Sequence, residues 1–96
     1  MPAAARLGDT DTGHDACGGR PNVQGSPNVT INGRPAHRKG DAWGSHGCPD
    51  HTPHGAVTVG GSGTVTINGK PAARVGDGVS CGGSIATGSG NVTIGG

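Results

Sequence analysis

The chain has 96 residues, of which 22 are glycine and 7 proline, a formal net charge of +1, and Trp43 as its one aromatic side chain. Thirteen Leu, Ile and Val residues cannot build a large core, so residues 1–96 read as one small domain that needs a staple from disulfides, a metal or a partner. Seven Lys and Arg with a single aromatic leave neither an electrostatic footprint nor a stacking platform for nucleic acid.

From the N-terminus, Met1 to Asp9 contains no apolar run long enough for a signal peptide, and no later stretch approaches a membrane span. The chain is therefore expected to be made in the cytoplasm without classical export. A connector carrying His14 and Cys17 follows. Residues 25–41 then set Val29 and Ile31 alternately with Thr30, as a half-buried strand requires. Asn32-Gly33 supplies a tight hairpin turn, and Pro35 on the return strand belongs at an edge or a strand start. The next connector holds His46, Cys48, His51 and His54, the last directly before a strand start at Gly55-Ala56-Val57. Residues 61–77 repeat the first hairpin position by position, with Val65, Ile67, Asn68-Gly69 and Pro71. Cys81 stands in the last connector, and Gly88-Ser89-Gly90-Asn91-Val92-Thr93-Ile94-Gly95 starts the pattern once more. Its missing return half is Ala4-Ala5-Arg6-Leu7-Gly8-Asp9.

The chain thus reads as three copies of one unit, 25–41, 61–77 and a split copy made of 88–96 plus 2–9. No stretch has helical periodicity, so the fold class is all-β, with three pseudo-threefold β-hairpin repeats. The regular glycines and the near-zero net charge argue against the disorder that the composition would otherwise imply. The connectors, 16, 20 and 11 residues from closing Asp to opening Gly, vary while the hairpins do not.

An odd cysteine count without a secretory signal argues against a disulfide framework, with a Cys17–Cys48 bridge as the alternative. Metal is the stronger staple. His14 and His46 lie five residues after Asp9 and Asp41, and Cys81 four after Asp77. Equivalent positions in three related repeats converge near their axis, and His51 or His54 from the longest connector can supply a fourth ligand, His54 being the better anchored. Imidazole and thiolate together suit Zn²⁺, and four protein ligands make a closed, structural site. Such a site contributes roughly 10–16 kcal/mol of apparent binding free energy, comparable to a whole domain's stability. Cys17 and Cys48 can pack as small hydrophobes or hold metal in place of a histidine. His37, where the sister copies have Ala5 and Ala73, is expected on the surface. Catalysis is not expected: there is no Glu, no cleft is indicated around Cys81, and the glycines punctuate hairpins without opening a phosphate-binding loop.

Pro71-Ala72-Ala73-Arg74-Val75-Gly76-Asp77, Pro35-Ala36-His37-Arg38-Lys39-Gly40-Asp41 and Ala4-Ala5-Arg6-Leu7-Gly8-Asp9 resemble the repeat for which the PAAR family is named, as do the Gly-Ser-x-x-Val-Thr-Ile hairpins. The resemblance covers essentially the whole chain. It implies a cone-shaped tip protein of type VI secretion spikes or contractile phage tails, its base on a trimeric VgrG-type spike protein, one tip per trimer. It also implies zinc held near the apex by three His and one Cys, here His14, His46, His54 and Cys81, with His51 an extra and iron the alternative ion. A monomer when free, effectors as further partners, transient contact with the target membrane and export through the contractile injection apparatus follow from the same resemblance. No appended toxin or adaptor domain is expected, since the chain ends at Gly96. Two other readings stand beside it: the tip of a phage tail spike, and a free metal buffer or sensor.

Overall fold

Two Asn-Gly pairs fix the first level of structure. Asn32 and Gly33 take φ of 55° and 77°, and Asn68 and Gly69 take 55° and 78°, the consecutive left-handed residues that a two-residue hairpin loop demands. In the computed structural model, which describes residues 2–12, 20–46, 54–80 and 82–95, six short strands follow in chain order. They are β1 (Thr30–Ile31), β2 (Arg34–Pro35), β3 (Ala42–His46), β4 (His54–Val57), β5 (Thr66–Ile67) and β6 (Lys70–Pro71). They pair antiparallel as β1–β2, β3–β4 and β5–β6, with Thr30 opposite Pro35 and Thr66 opposite Pro71 in the same register. The described residues are all-β, arranged as small hairpin sheets, and contain no helix.

The two ends of the chain also pair. Ala3 lies opposite Thr93, the Ala4 amide donates to Val92 O at 2.9 Å, and the Ile94 amide donates to Pro2 O at 2.9 Å. Immediately beyond, three segments close a ring of backbone bonds. The Ala5 amide donates to Ala73 O (3.0 Å), Ala73 to His37 O (3.0 Å), and His37 to Ala5 O (3.1 Å). All three residues are fully buried. On one side of the ring Ala4, Ala36 and Ala72 pack with Ile31, Ile67 and Ile94. On the other, Ala5 and Ala73 pack with Trp43, Ala56, Val79 and Ile85. The first cluster does not take in Val29 and Val65. Each stays 38% exposed, although the strand alternation predicts them on the buried face with Ile31 and Ile67.

The same small set of side chains ties each hairpin to the next. Arg6, Arg38 and Arg74 each grip the carboxylate three residues on, Asp9, Asp41 and Asp77, through Nε and Nη2. Each Nη1 then reaches a neighbouring hairpin: Asn32 Oδ1 at 3.2 Å, Asn68 Oδ1 at 3.1 Å and Gly95 O at 3.2 Å, respectively. Ser26, Ser62 and Ser89, all buried, accept from the amides two and three residues on, and donate to Asn68 Oδ1, Gly95 O and Asn32 Oδ1. The glycine before each serine is a matter of space. A Cβ on Gly61 would lie 2.7 Å from Pro71 Cβ, and one on Gly88 2.7 Å from Ala4 O.

The connectors build a second structure beyond the ring. Thr10 pairs with Pro21, Asn22 with Trp43, Trp43 with Ala56, Thr58 with Val79, Gly78 with Ser84, and Ile85 with Asp11. Every bridge is antiparallel, and the circuit returns to its start, which disposes of the edges that so small a sheet would otherwise leave unpaired. Each connector is a hairpin opening next to its Asp: the amides of Asn22, Thr58 and Ile85 donate to Asp9 O, Asp41 O and Asp77 O. The outgoing strands alternate with the returning ones around the circuit, so all three hairpins point the same way, away from the ring.

Candidate metal centre

The described strands of the three connector hairpins therefore lead toward one end of the molecule. Thr12 and Arg20 flank residues 13–19, His46 and His54 flank 47–53, and Ser80 and Gly82 flank residue 81. Of the four expected ligands, the backbones of His46 and His54 lie at this end as direct cross-strand partners. That pairing depends on an irregularity. Ala42 faces Val57 and Trp43 faces Ala56, and a regular continuation would set Ser45 against His54; one extra residue in β3 between Trp43 and His46 brings His46 there instead. The extra residue falls on Gly44-Ser45, and a bulge is a recurrent means of re-aiming a strand at a site. His14 and Cys81 lie outside the described residues, as do His51, Cys17 and Cys48, and with Cys17 and Cys48 the alternative disulfide. Among the described residues no group of three or more His, Cys, Asp or Glu side chains gathers as a metal site.

The expectation for His37 is corrected. Its side chain is fully buried, against Trp43 of the second cluster. Nδ1 lies 2.8 Å from Gln24 O and Nε2 2.7 Å from Thr58 Oγ1. Trp43 Nε1 donates to the same Thr58 Oγ1 at 2.8 Å, and the Trp43 ring meets the imidazole edge to face, centroids 5.5 Å apart at 74°. Burial pulls the His37 pKa below the usual histidine value. The Gln24 carbonyl and the carboxylates of Asp41 and Asp9 oppose that shift, while Arg38 adds to it. Sequence reasoning overlooked this cluster, although a signal was there: a position held by alanine in both sister copies is confined, and a larger side chain there must be accommodated inside.

Around this framework arginine–aspartate pairs recur. Arg38 with Asp41 is the most enclosed of the repeated ion pairs, at 2.8 Å with side chains 7% and 0% exposed. Arg6–Asp9 and Arg74–Asp77 are its counterparts at 3.1 and 3.0 Å. Arg20 lies 3.8 Å from Asp11, farther along the first connector hairpin, and its amide donates to Asp11 Oδ1 at 2.9 Å. No pocket is found among the described residues.

Compared with known proteins, residues 49–96, half of the chain, match the family model described as PAAR motif. No curated protein matches.

Proposed function

The chain belongs to the PAAR-motif family, and from that premise we propose that it is the tip of a contractile injection spike, a structural part and not an enzyme. In this reading the three cassettes 25–41, 61–77 and 88–96 plus 2–9 wind about one pseudo-threefold axis. The isoleucine side forms a broad base, the connector hairpins narrow to an apex, and the base caps the blunt end of a trimeric VgrG-type spike, one tip per trimer. The described residues span 38 × 24 × 21 Å, which suits an elongated cap. Three exposed strand ends on a trimer invite pairing, and one chain with three like hairpins can add to all of them by strand addition.

The observation that carries the reading is the common direction of the connector hairpins, with His46 set opposite His54 by the β3 bulge. In sequence, His14 follows Thr12 and Cys81 follows Ser80, on the other two connector hairpins. A donor set of three imidazoles and one thiolate fits Zn²⁺, iron being the alternative, and four protein ligands would close the site as a structural one. The ion would hold rigid a vertex too thin for an oily core. It would be delivered with the tip through the injection apparatus, together with effectors and in brief contact with the target envelope.

Mixing the purified chain with a trimeric spike protein tests the cap. Light scattering should find one chain per trimer, and the absence of a complex removes the capping role. Elemental analysis should find one zinc per chain, lost in His14→Ala and Cys81→Ser; undiminished metal in both variants removes the proposed ligand set. A phage tail tip is physically the same object, whereas a free metal buffer would bind the ion but no trimer.

A further inference from the structure

We propose that His37, Thr58 and Trp43 form a pH-sensitive latch that joins the backbone ring to the connector circuit, closed while His37 is neutral and released when it gains a proton.

The directions of the hydrogen bonds are forced. Gln24 O can only accept, so the imidazole Nδ1, 2.8 Å away, carries the hydrogen. In the neutral ring Nε2 is then an acceptor, and it takes the Thr58 hydroxyl proton across 2.7 Å. Trp43 Nε1 can only donate, and it does so to the same Thr58 oxygen at 2.8 Å. The relay therefore runs one way, from Trp43 through Thr58 and His37 to Gln24, whose own side-chain Oε1 accepts from the Ala42 amide at 2.9 Å. Its members come from separate parts of the fold. His37 belongs to the ring, Trp43 to β3, Thr58 continues β4, and Gln24 follows the first connector hairpin. His37, Trp43 and Thr58 are 3% exposed or less.

A proton on Nε2 reverses one bond. Both ring nitrogens become donors, Thr58 Oγ1 faces two donors at once, and its own proton no longer has Nε2 to go to. The new charge is also sealed from water. The charged groups facing the ring are Asp41 and Asp9, which favour the cation, and Arg38, which opposes it. Asp41 and Asp9 are already held by Arg38 and Arg6, which blunts their help. Because the folded form resists the proton, the latch is fully closed above the unfolded histidine value of about 6.5 and weakens as pH falls below it. The argument is independent of any role as a spike tip.

Trp43 is the chain's only tryptophan and only 3% exposed, so its emission reports the latch directly. The test is a fluorescence titration of the full, metal-loaded chain from pH 8 to pH 5, alongside His37→Gln, which keeps an acceptor and a donor but does not titrate. His37→Ala serves as a second variant, because alanine already occupies the two other ring positions. The wild type is expected to show a reversible red shift below about pH 6.5 that both variants lack. Metal release from other histidines would appear equally in all three proteins, so identical titrations overturn the proposal. Nitrogen NMR supplies an independent reading: a His37 ring protonated at Nε2 at pH 7.5, or titrating at or above the free histidine value, overturns it as well.

Discussion

Replacing Arg38 with methionine removes the guanidinium that holds Asp41, the most enclosed of the carboxylates Asp9, Asp41 and Asp77, while keeping most of the apolar stem. Arg38 gives Asp41 two bonds at 2.8 Å, and its other contacts reach Asn68 Oδ1 and Gly25 O. Asp41 has no exposed surface. After the change it keeps the backbone amide of residue 38 at 2.9 Å, and Lys70 Nζ 3.9 Å from Oδ1. Stranding one member of a buried pair costs roughly 3–5 kcal/mol, and these remaining partners put Arg38→Met at the lower end, about 3 kcal/mol. In a domain of this length that is a fall in Tm of about 12–24 °C, read by circular dichroism at a fixed zinc concentration. Lys39→Met, on the exposed neighbour, should stay within about 0.5 kcal/mol. Adding Asp41→Asn to Arg38→Met removes the stranded charge and should recover part of the loss, which a double-mutant cycle measures. If Arg38→Met proves no worse than Lys39→Met, the clamp between hairpins is not what holds them together.

Two glycines separate conformational from steric cost. A Cβ on Gly33 meets nothing within 4 Å, so Gly33→Ala should lose only about 1 kcal/mol for its left-handed backbone, whereas Gly61→Ala drives a methyl into Pro71 and should lose about 3 kcal/mol; equal losses in urea unfolding refute the close-approach argument. Ile67→Ala, in a cluster of three isoleucines and three alanines, should lose about 3 kcal/mol, and a loss under 1 kcal/mol by the same method would mean the base does not depend on that cluster. If zinc binds the folded chain alone, Tm should climb with added zinc, with about 2.7 kcal/mol gained at a hundredfold excess over Kd; a flat response in scanning calorimetry contradicts a structural ion.

The hairpins were legible because Asn32-Gly33 and Asn68-Gly69 state their turn in two residues, and the Val-Thr-Ile runs state the strands. The connector circuit was not. Segments such as Thr10–Thr12, Pro21–Val23 and Gly78–Ser80 are too short and too polar to show alternation, and only pairing across sequence makes them strands. Of the candidate site, the sequence named four residues, and the fold sets the backbones of His46 and His54 against each other. The bulge at Gly44-Ser45 that does this has no local signature, since a regular ladder and a bulged one read alike until the partner strand is known. His37 misled for a related reason: polar type argued for water, while its place in the ring, decided by Ala5 and Ala73 far away in sequence, argued for burial.

The pairing of Pro2–Ala4 with Val92–Ile94 carries a consequence for how the molecule is made. Pro2–Ala4 cannot be paired until Val92–Ile94, far along the chain, has been made. Contacts this distant along the chain slow folding, and until they form, the opening segment offers an unsatisfied strand edge to its surroundings. A nascent chain stalled short of Asn91 should remain open to protease at Ala3–Arg6, where the finished protein is closed.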